Sequence, residues 1–343
     1  MIDFQSDYLE GADERVLQAL VDTNALQAPG YGEDESCARA KALIRRMADC
    51  SKAGVHFVMG GTQANLLVIS VALRPWEGVL CAQSGHIAVH ETGAIEATGH
   101  KVLTLPSSDG KLMAAQVEAA ARAHHADENH EHMVKPAMAY ISHPTELGTL
   151  YTRAEIMALS AACRENGLLL FLDGARLGYG LAAAPDVDMP LLSRCCDVFT
   201  IGGTKAGLLF GEAIVLTREE LQSCFRYAIK QRGAMLAKGR LLGIQFEALL
   251  ADGYYEKACA RANALAQRIK KAFVKKGFPL LCDTAANQVF PVLPDNVVEK
   301  LRQKYRFAFW EKVDAGHSAL RFCTSVTTPE ENVRALEKDI AEM

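Results

Sequence analysis

No stretch of the 343 residues runs to eighteen uninterrupted apolar positions, and the start MIDFQSDYLE has no basic segment followed by an apolar one. Neither a membrane span nor a secretory signal is expected, so the chain reads as a cytoplasmic protein. Neither sign of charge is in excess: 37 Lys and Arg stand against 41 Asp and Glu. That balance gives no footprint for nucleic acid or an anionic membrane and leaves small-molecule chemistry as the expected class. The ten cysteines are scattered singly apart from Cys195-Cys196, with no CxxC pair. This argues against a disulfide framework and for reduced, mostly buried thiols. Internal repeats, low-complexity tracts and long linkers are also missing, so the organisation must be read from apolar periodicity.

What is present is an alternation of strands and helices. Apolar runs of strand length fall at Val55–Met59, Gly78–Ala82, Lys101–Leu105, Ala137–Ser142, Leu168–Leu172, Val198–Ile201 and Ala213–Leu216, bounded by Gly, Pro, Asp or Ser. Between them Gln63–Leu73, Met113–His124, Arg153–Asn166 and Met189–Cys195 have helical spacing. Strands alternating with helices predict an α/β fold, a mainly parallel sheet covered on both faces. Beyond Thr217 the pattern changes: Glu219–Leu250 reads as one long, nearly continuous helix, then comes a helix over Tyr255–Lys276. Short strands follow around Asn287–Leu293, Phe307–Trp310 and Leu320–Cys323. We therefore expect an N-terminal arm (1–24), a large domain (25–250) and a smaller α+β domain (251–343). Four of the ten histidines crowd into His124–His132 beside three carboxylates. The segment lies between a helix and a strand and is read as a solvated loop, with no metal site expected.

In open α/β sheets ligands sit beyond the carboxyl ends of the strands, so the residues after each apolar run matter most. Gly60-Gly61-Thr62 before a helix supplies free N–H groups and a hydroxyl, a ready phosphate site, or else a plain capped turn. No GKS or GKT follows it, and it is not GxGxxG. Asp173 ends a wholly apolar strand and needs a cationic partner there. A protonated pyridine nitrogen would serve, or Arg176, or a helix cap. Lys205 sits in GGTKAGLLFG, a setting with little charge, where desolvation would lower its pKa and prepare the amine for a Schiff base.

Asp173 followed 32 residues later by Lys205 resembles the spacing of fold-type I pyridoxal phosphate (PLP) enzymes. The likeness extends along the chain to the low-specificity threonine aldolases, within the β-eliminating lyase grouping. It is carried by Ser6-Asp7, YGED at Tyr31–Asp34, GTQAN at Gly61–Asn65, His86 with Glu91, DGAR at Asp173–Arg176, and Thr204-Lys205. The resemblance implies a large PLP-binding domain with a smaller C-terminal one, and named roles. Lys205 would carry the cofactor, Asp173 would hold its ring nitrogen and His86 would stack on its face. Gly61, Thr62 and Thr204 would contact the phosphate. Ser6, Arg176 and Arg321 would hold the substrate carboxylate by charge-assisted hydrogen bonds. Arg176 is counted with the cofactor pocket as well. Tyr31 and Lys230 would reach the site from a neighbouring subunit of a homodimer or homotetramer.

The chain departs from those relatives in two places: TKAGLLFGEA around the lysine, and Thr145-Glu146 where many have a histidine after the threonine. Glu146 is either a replacement base or a loop carboxylate; His90, His86 and a water are the other candidates. The implied reaction is cleavage of a β-hydroxy-α-amino acid to glycine and an aldehyde, with L-threonine, L-allo-threonine or an aromatic analogue as substrate. Two rivals stand beside it. One is β-elimination or transamination on the same scaffold; the other is a non-catalytic small-molecule or metal-binding protein.

Overall fold

The computed structural model describes residues 1–343. A seven-stranded sheet runs in the order Gly54–Val58, Glu212–Leu216, Val198–Gly202, Leu169–Asp173, Lys135–Ser142, Glu77–Ala82, Val102–Leu105. Six of these strands run one way; Glu212–Leu216 alone is antiparallel to both its neighbours. Chain length explains the exception. The link Gly203–Gly211 is shorter than the dozen or so residues a parallel crossover requires, so the chain turns straight back.

Glu77–Ala82, Val198–Gly202 and Glu212–Leu216 are buried at every position, as expected of strands covered on both faces. Their side chains divide between two cores. Phe199, Ile201, Ala213 and Val215 join one with helices Glu35–Met47, Arg153–Glu165 and Arg240–Leu250. Val198, Ile214 and Leu216 face the other, filled by Leu67, Val68 and Ile69 of helix Gly61–Ala72.

The run Glu219–Leu250 is not one helix. It begins with a single 3₁₀ turn, forms the helix Phe225–Gln231, breaks, and resumes at Arg240–Leu250. Gly233 ends the first helix with φ +70°: its N–H donates to Lys230 O and that of Ala234 to Ile229 O. This pair of bonds satisfies the terminal carbonyls and turns the chain away.

Beyond it, Tyr254–Lys275 spans two cores. Its residues Tyr255, Ala258, Cys259 and Ala262 lie in the large one. Leu265, Ile269 and Phe273 enter a third with Leu293, Phe307, Phe322, Leu336 and Ile340. Antiparallel strands Val292–Pro294, His317–Cys323 and Ala308–Lys312 form the sheet of that unit, with Gln288–Val289 pairing at the end of His317–Cys323. The N-terminal segment belongs here too, since Ile2–Asp3 pairs in parallel with Tyr305–Arg306 and Phe4 is buried in the third core.

No helix is long and apolar enough to cross a membrane. The His124–His132 stretch closes helix Ala114–Ala126 and forms one 3₁₀ turn, and no cluster of three or more ligating side chains is arranged around a metal position.

Candidate active site

The carboxyl ends of two central strands of the large sheet, Leu169–Asp173 and Val198–Gly202, interlock. A Cβ on Gly174 would lie 2.0 Å from the Thr200 carbonyl oxygen, and one on Gly202 2.1 Å from that of Ala175. Only glycine permits that approach. It is sealed by Gly174 N–H donating to Thr200 Oγ1 and Gly202 N–H donating to Gly174 O, each at 2.8 Å. The turn after Asp173 is thereby brought against the turn that carries Lys205.

Asp173 is 5% exposed and fully hydrogen-bonded, yet has no cationic partner in the chain. Its Oδ2 accepts Tyr140 Oη at 2.6 Å and Asn65 Nδ2 at 2.9 Å, and its Oδ1 accepts the Ala175 N–H at 2.8 Å. Burial alone would raise this carboxyl; the His86 imidazole and those three donors outweigh it and hold the group below the usual carboxylate range. Asn65 Nδ2 also donates to Glu91 Oε1 at 2.7 Å, and that same oxygen bonds His86 Nδ1 at 2.8 Å. The buried Glu91 thus fixes the orientation of the His86 ring, which lines the same recess as Asp173.

Arg176 does not pair with Asp173. Its Nε and Nη2 fork onto Asp7 at 2.6 and 2.9 Å, and Asp7 Oδ2 also accepts Asn287 Nδ2 at 2.8 Å. Burial works to raise the Asp7 carboxyl, but Arg176, Lys205 and Asn287 hold it low. Of the Arg176 fork only Nη1 is left for a ligand.

Lys205 Nζ makes neither an ion pair nor a hydrogen bond, and only its backbone carbonyl is tied, by Tyr179 Oη at 2.6 Å. Burial and the Arg176 charge lower the ammonium, against the pull of Asp7, Glu212 and Asp173. A lysine so placed is shifted toward the free amine relative to one in water.

Lys205 opens on a cavity of about 300 Å³ lined by Tyr8, His86, His90, Glu146, Arg176, Trp310 and Arg321. That is room for a small ligand. A narrower recess beneath it reaches Asp173 past Ser142 and Glu146. Arg321 enters from strand His317–Cys323; its Nη2 donates to Gln5 O at 3.2 Å and its guanidinium lies 5.7 Å from the Trp310 ring centroid. Its Nε and the Ser6 hydroxyl are buried without partners. Helix Gly61–Ala72 starts without a side-chain cap, and a Cβ on Gly60 or Gly61 would meet nothing within 4 Å. The first helical N–H groups, Gly61 and Thr62 among them, are therefore open to an anion.

The structure thus brings Lys205, Asp173, His86, Glu146, Arg176 and Arg321 around one cavity. Thr204 stands beside Lys205 with its hydroxyl engaged by the backbone of Gly211. Tyr31 is not among them. It lies on another face at φ +61°, with Lys230 Nζ 4.8 Å from its ring centroid. Sequence reasoning missed Asn65 and Tyr140 as partners of Asp173, Asp7 as partner of Arg176, and Tyr8 and Trp310 as walls. Tyr140 did leave a signal: it is a polar-tipped residue inside an apolar strand, two positions from Ser142 and so on the same face.

A lysine free of partners, a buried carboxylate ready for a cationic ring and an open helix start at the strand ends together define a fold-type I PLP enzyme. The comparisons with known proteins agree. Residues 3–339 match the model of the beta-eliminating lyase family, and the chain belongs to that family. It is 33% identical to a low-specificity L-threonine aldolase of a Pseudomonas species, over 98% of this chain and 96% of the relative. The solved threonine aldolase of Leishmania major superposes with a TM-score of 0.97 at 42% identity, covering 100% of this chain and 99% of that one. A histidinol-phosphate aminotransferase of Clostridium acetobutylicum, at 13% identity and a TM-score of 0.73, shares the fold. PLP is the cofactor of this family, and the residues present fit it. Asp173 offers an unpaired anion to the ring nitrogen, Lys205 an unpaired amine, and the Gly61–Thr62 helix start a cradle for phosphate.

Proposed function

We propose that this protein is a PLP-dependent aldolase, a carbon–carbon lyase that cleaves β-hydroxy-α-amino acids to glycine and an aldehyde. L-Threonine, L-allo-threonine or a bulkier analogue such as phenylserine would be its substrate. One observation carries the reading: a buried, ionised Asp173 and an unpaired Lys205 serve the same cavity with no ion pair between them. The likeness to threonine aldolases over nearly the whole chain supports the choice of reaction.

In this reading the catalytic set is Lys205, Asp173, His86 and Glu146. Lys205 would hold the cofactor, with Gly61, Thr62 and Thr204 on its phosphate. Asp173 would keep its ring nitrogen protonated, supported by Tyr140 and Asn65. His86, fixed by Glu91, would cover the ring face. When bound, the protonated ring supplies a sink for the electron pair released at the substrate α-carbon. Arg321 and the free Nη1 of Arg176 would hold the substrate carboxylate; the Ser6 hydroxyl, sealed in the interior without a partner, would join them only if a ligand opened its surroundings.

Tyr31 and Lys230 would complete the site of a neighbouring copy, in a homodimer or homotetramer. Support for that is their separation from the cavity of their own chain. Ten free cysteines, six of them buried, suit the reducing cytoplasm. The test is aldehyde release by the purified holoenzyme from threonine, allo-threonine and phenylserine. Formation of a 2-oxo acid and ammonia from serine, with no aldehyde from any of the three, would replace this reading with β-elimination.

A further inference from the structure

We propose that Glu146 is the catalytic acid–base of the bond-breaking step, taking the proton from the hydroxyl on the substrate β-carbon; the inference rests on the aldolase reading above. Glu146 stands in the loop after strand Lys135–Ser142, and only one of its carboxylate oxygens is committed. Oε1 accepts the Ser142 hydroxyl at 2.7 Å and the His86 backbone N–H at 3.0 Å. Oε2 makes no hydrogen bond and is not one of the sealed interior atoms, so it faces the cavity that Glu146 lines with Lys205 and Arg321. A carboxylate anchored at one oxygen and open at the other is oriented without being neutralised, as a proton carrier must be. Neither arginine of the cavity is committed to it, since Arg176 forks onto Asp7 and Arg321 donates to Gln5 O.

The other candidates are weaker on the same grounds. His90 is exposed and unanchored, and partial desolvation of its ring together with the neighbouring His86, Arg321, Lys205 and Arg176 lowers its basicity. His86 has Nδ1 locked to Glu91. The Glu146 carboxyl moves the opposite way. Burial raises it, Asp173 adds to the rise, and the Ser142 hydroxyl, the loop backbone and His86 offset it only in part. The titratable and charged groups facing it are His86, His90, Asp173, Arg176, Lys205 and Arg321; Cys81, Tyr140 and Tyr151 nearby are held neutral by burial. A carboxyl raised above its ordinary value is better matched to moving a hydroxyl proton than an unshifted one.

In cleavage Glu146 takes the hydroxyl proton, and the O–H electron pair becomes the second bond of the aldehyde C=O. The Cα–Cβ bond breaks and leaves its pair on Cα, which gains a proton from solvent to complete glycine. Glu146 then returns its own proton to solvent.

The test compares two reactions of one holoenzyme. Aldehyde release from L-threonine needs a hydroxyl proton moved; exchange of the glycine α-proton in D₂O does not. In Glu146→Gln, kcat for aldehyde release should fall on the order of 100-fold or more, with KM, cofactor absorbance and glycine exchange kept. The acid limb of kcat/KM should vanish with it. Unchanged aldehyde release, or an equal loss of exchange, overturns the proposal. Should the glutamine variant fail to take up cofactor, Ser142→Ala reads the same ratio. It frees Oε1 and should lower aldehyde release several-fold with exchange intact, and an equal fall in both overturns the proposal. A wild-type enzyme that exchanges glycine but releases no aldehyde from any β-hydroxy amino acid defeats the underlying reading itself, which the variants do not.

Discussion

At the scale of single residues the site depends on which charges are left unpaired. Lys205→Ala removes the one amine in the cavity, and turnover should drop on the order of 10³-fold or more; borohydride should no longer fix the cofactor to the chain. Asp173→Asn keeps the shape and loses the charge that, in the proposed reading, would hold the ring nitrogen protonated. It should keep cofactor absorbance and lose on the order of 100-fold in turnover. Asp7 acts differently, by compensating Arg176. Asp7→Ala leaves a half-buried guanidinium without its fork and should cost about 3–5 kcal/mol, seen as a lower urea midpoint. The pH dependence follows from the direction of the shift. Because the folded Asp7 carboxyl lies below its unfolded value of about 3.9, its contribution is complete above that pH and is lost as pH falls through the folded value. The Asp7→Ala variant should therefore lack this part of the acid destabilisation. Asp173 and Lys205 stood out in the sequence because each is an ionisable residue among apolar or small neighbours, although Arg176 offered Asp173 a local partner that its fork onto Asp7 removes. Asp7 as the mate of Arg176 was not, because 169 residues separate them and no spacing encodes the contact.

At the scale of elements, glycines decide where strands and helices meet or stop. Gly174→Ala would place a methyl group 2.0 Å from the Thr200 carbonyl oxygen. The turn after Asp173 must then move away from the Lys205 turn, so this one-carbon change should cost about 1–3 kcal/mol and most of the activity. Thermal unfolding and aldehyde release measured on the same sample test both. The seven strands of the large sheet were readable as short apolar runs, each within a residue or two of its observed bounds. The break near Gly233 was not. Apolar spacing continues across it, and what ends the helix is the left-handed backbone of one residue rather than a change of pattern. The reversal of Glu212–Leu216 also needed the length of the preceding turn, because apolar runs carry no direction.

At the scale of the whole molecule, Tyr31 and Lys230 lie together away from the cavity of their own chain. If they serve a neighbour's site, activity requires association. Sedimentation should show a dimer or tetramer, and specific activity should fall on dilution as monomer forms; a fully active monomer would refute this.

The N-terminal segment has a consequence of its own. Ile2–Asp3 pairs with Tyr305–Arg306, Gln5 O holds Arg321, and Asp7 holds Arg176. Residues 2–5 leave the ribosome long before their partners at 305–321 exist, so they wait unseated through most of synthesis, whereas Asp7 can meet Arg176 earlier. A nascent chain can thus acquire the large sheet, and with it Lys205, Asp173 and Arg176, while Arg321 and the strand that carries it are still missing. The cavity is walled on all sides only once the late strand His317–Cys323 is made and the early residues pair beside it.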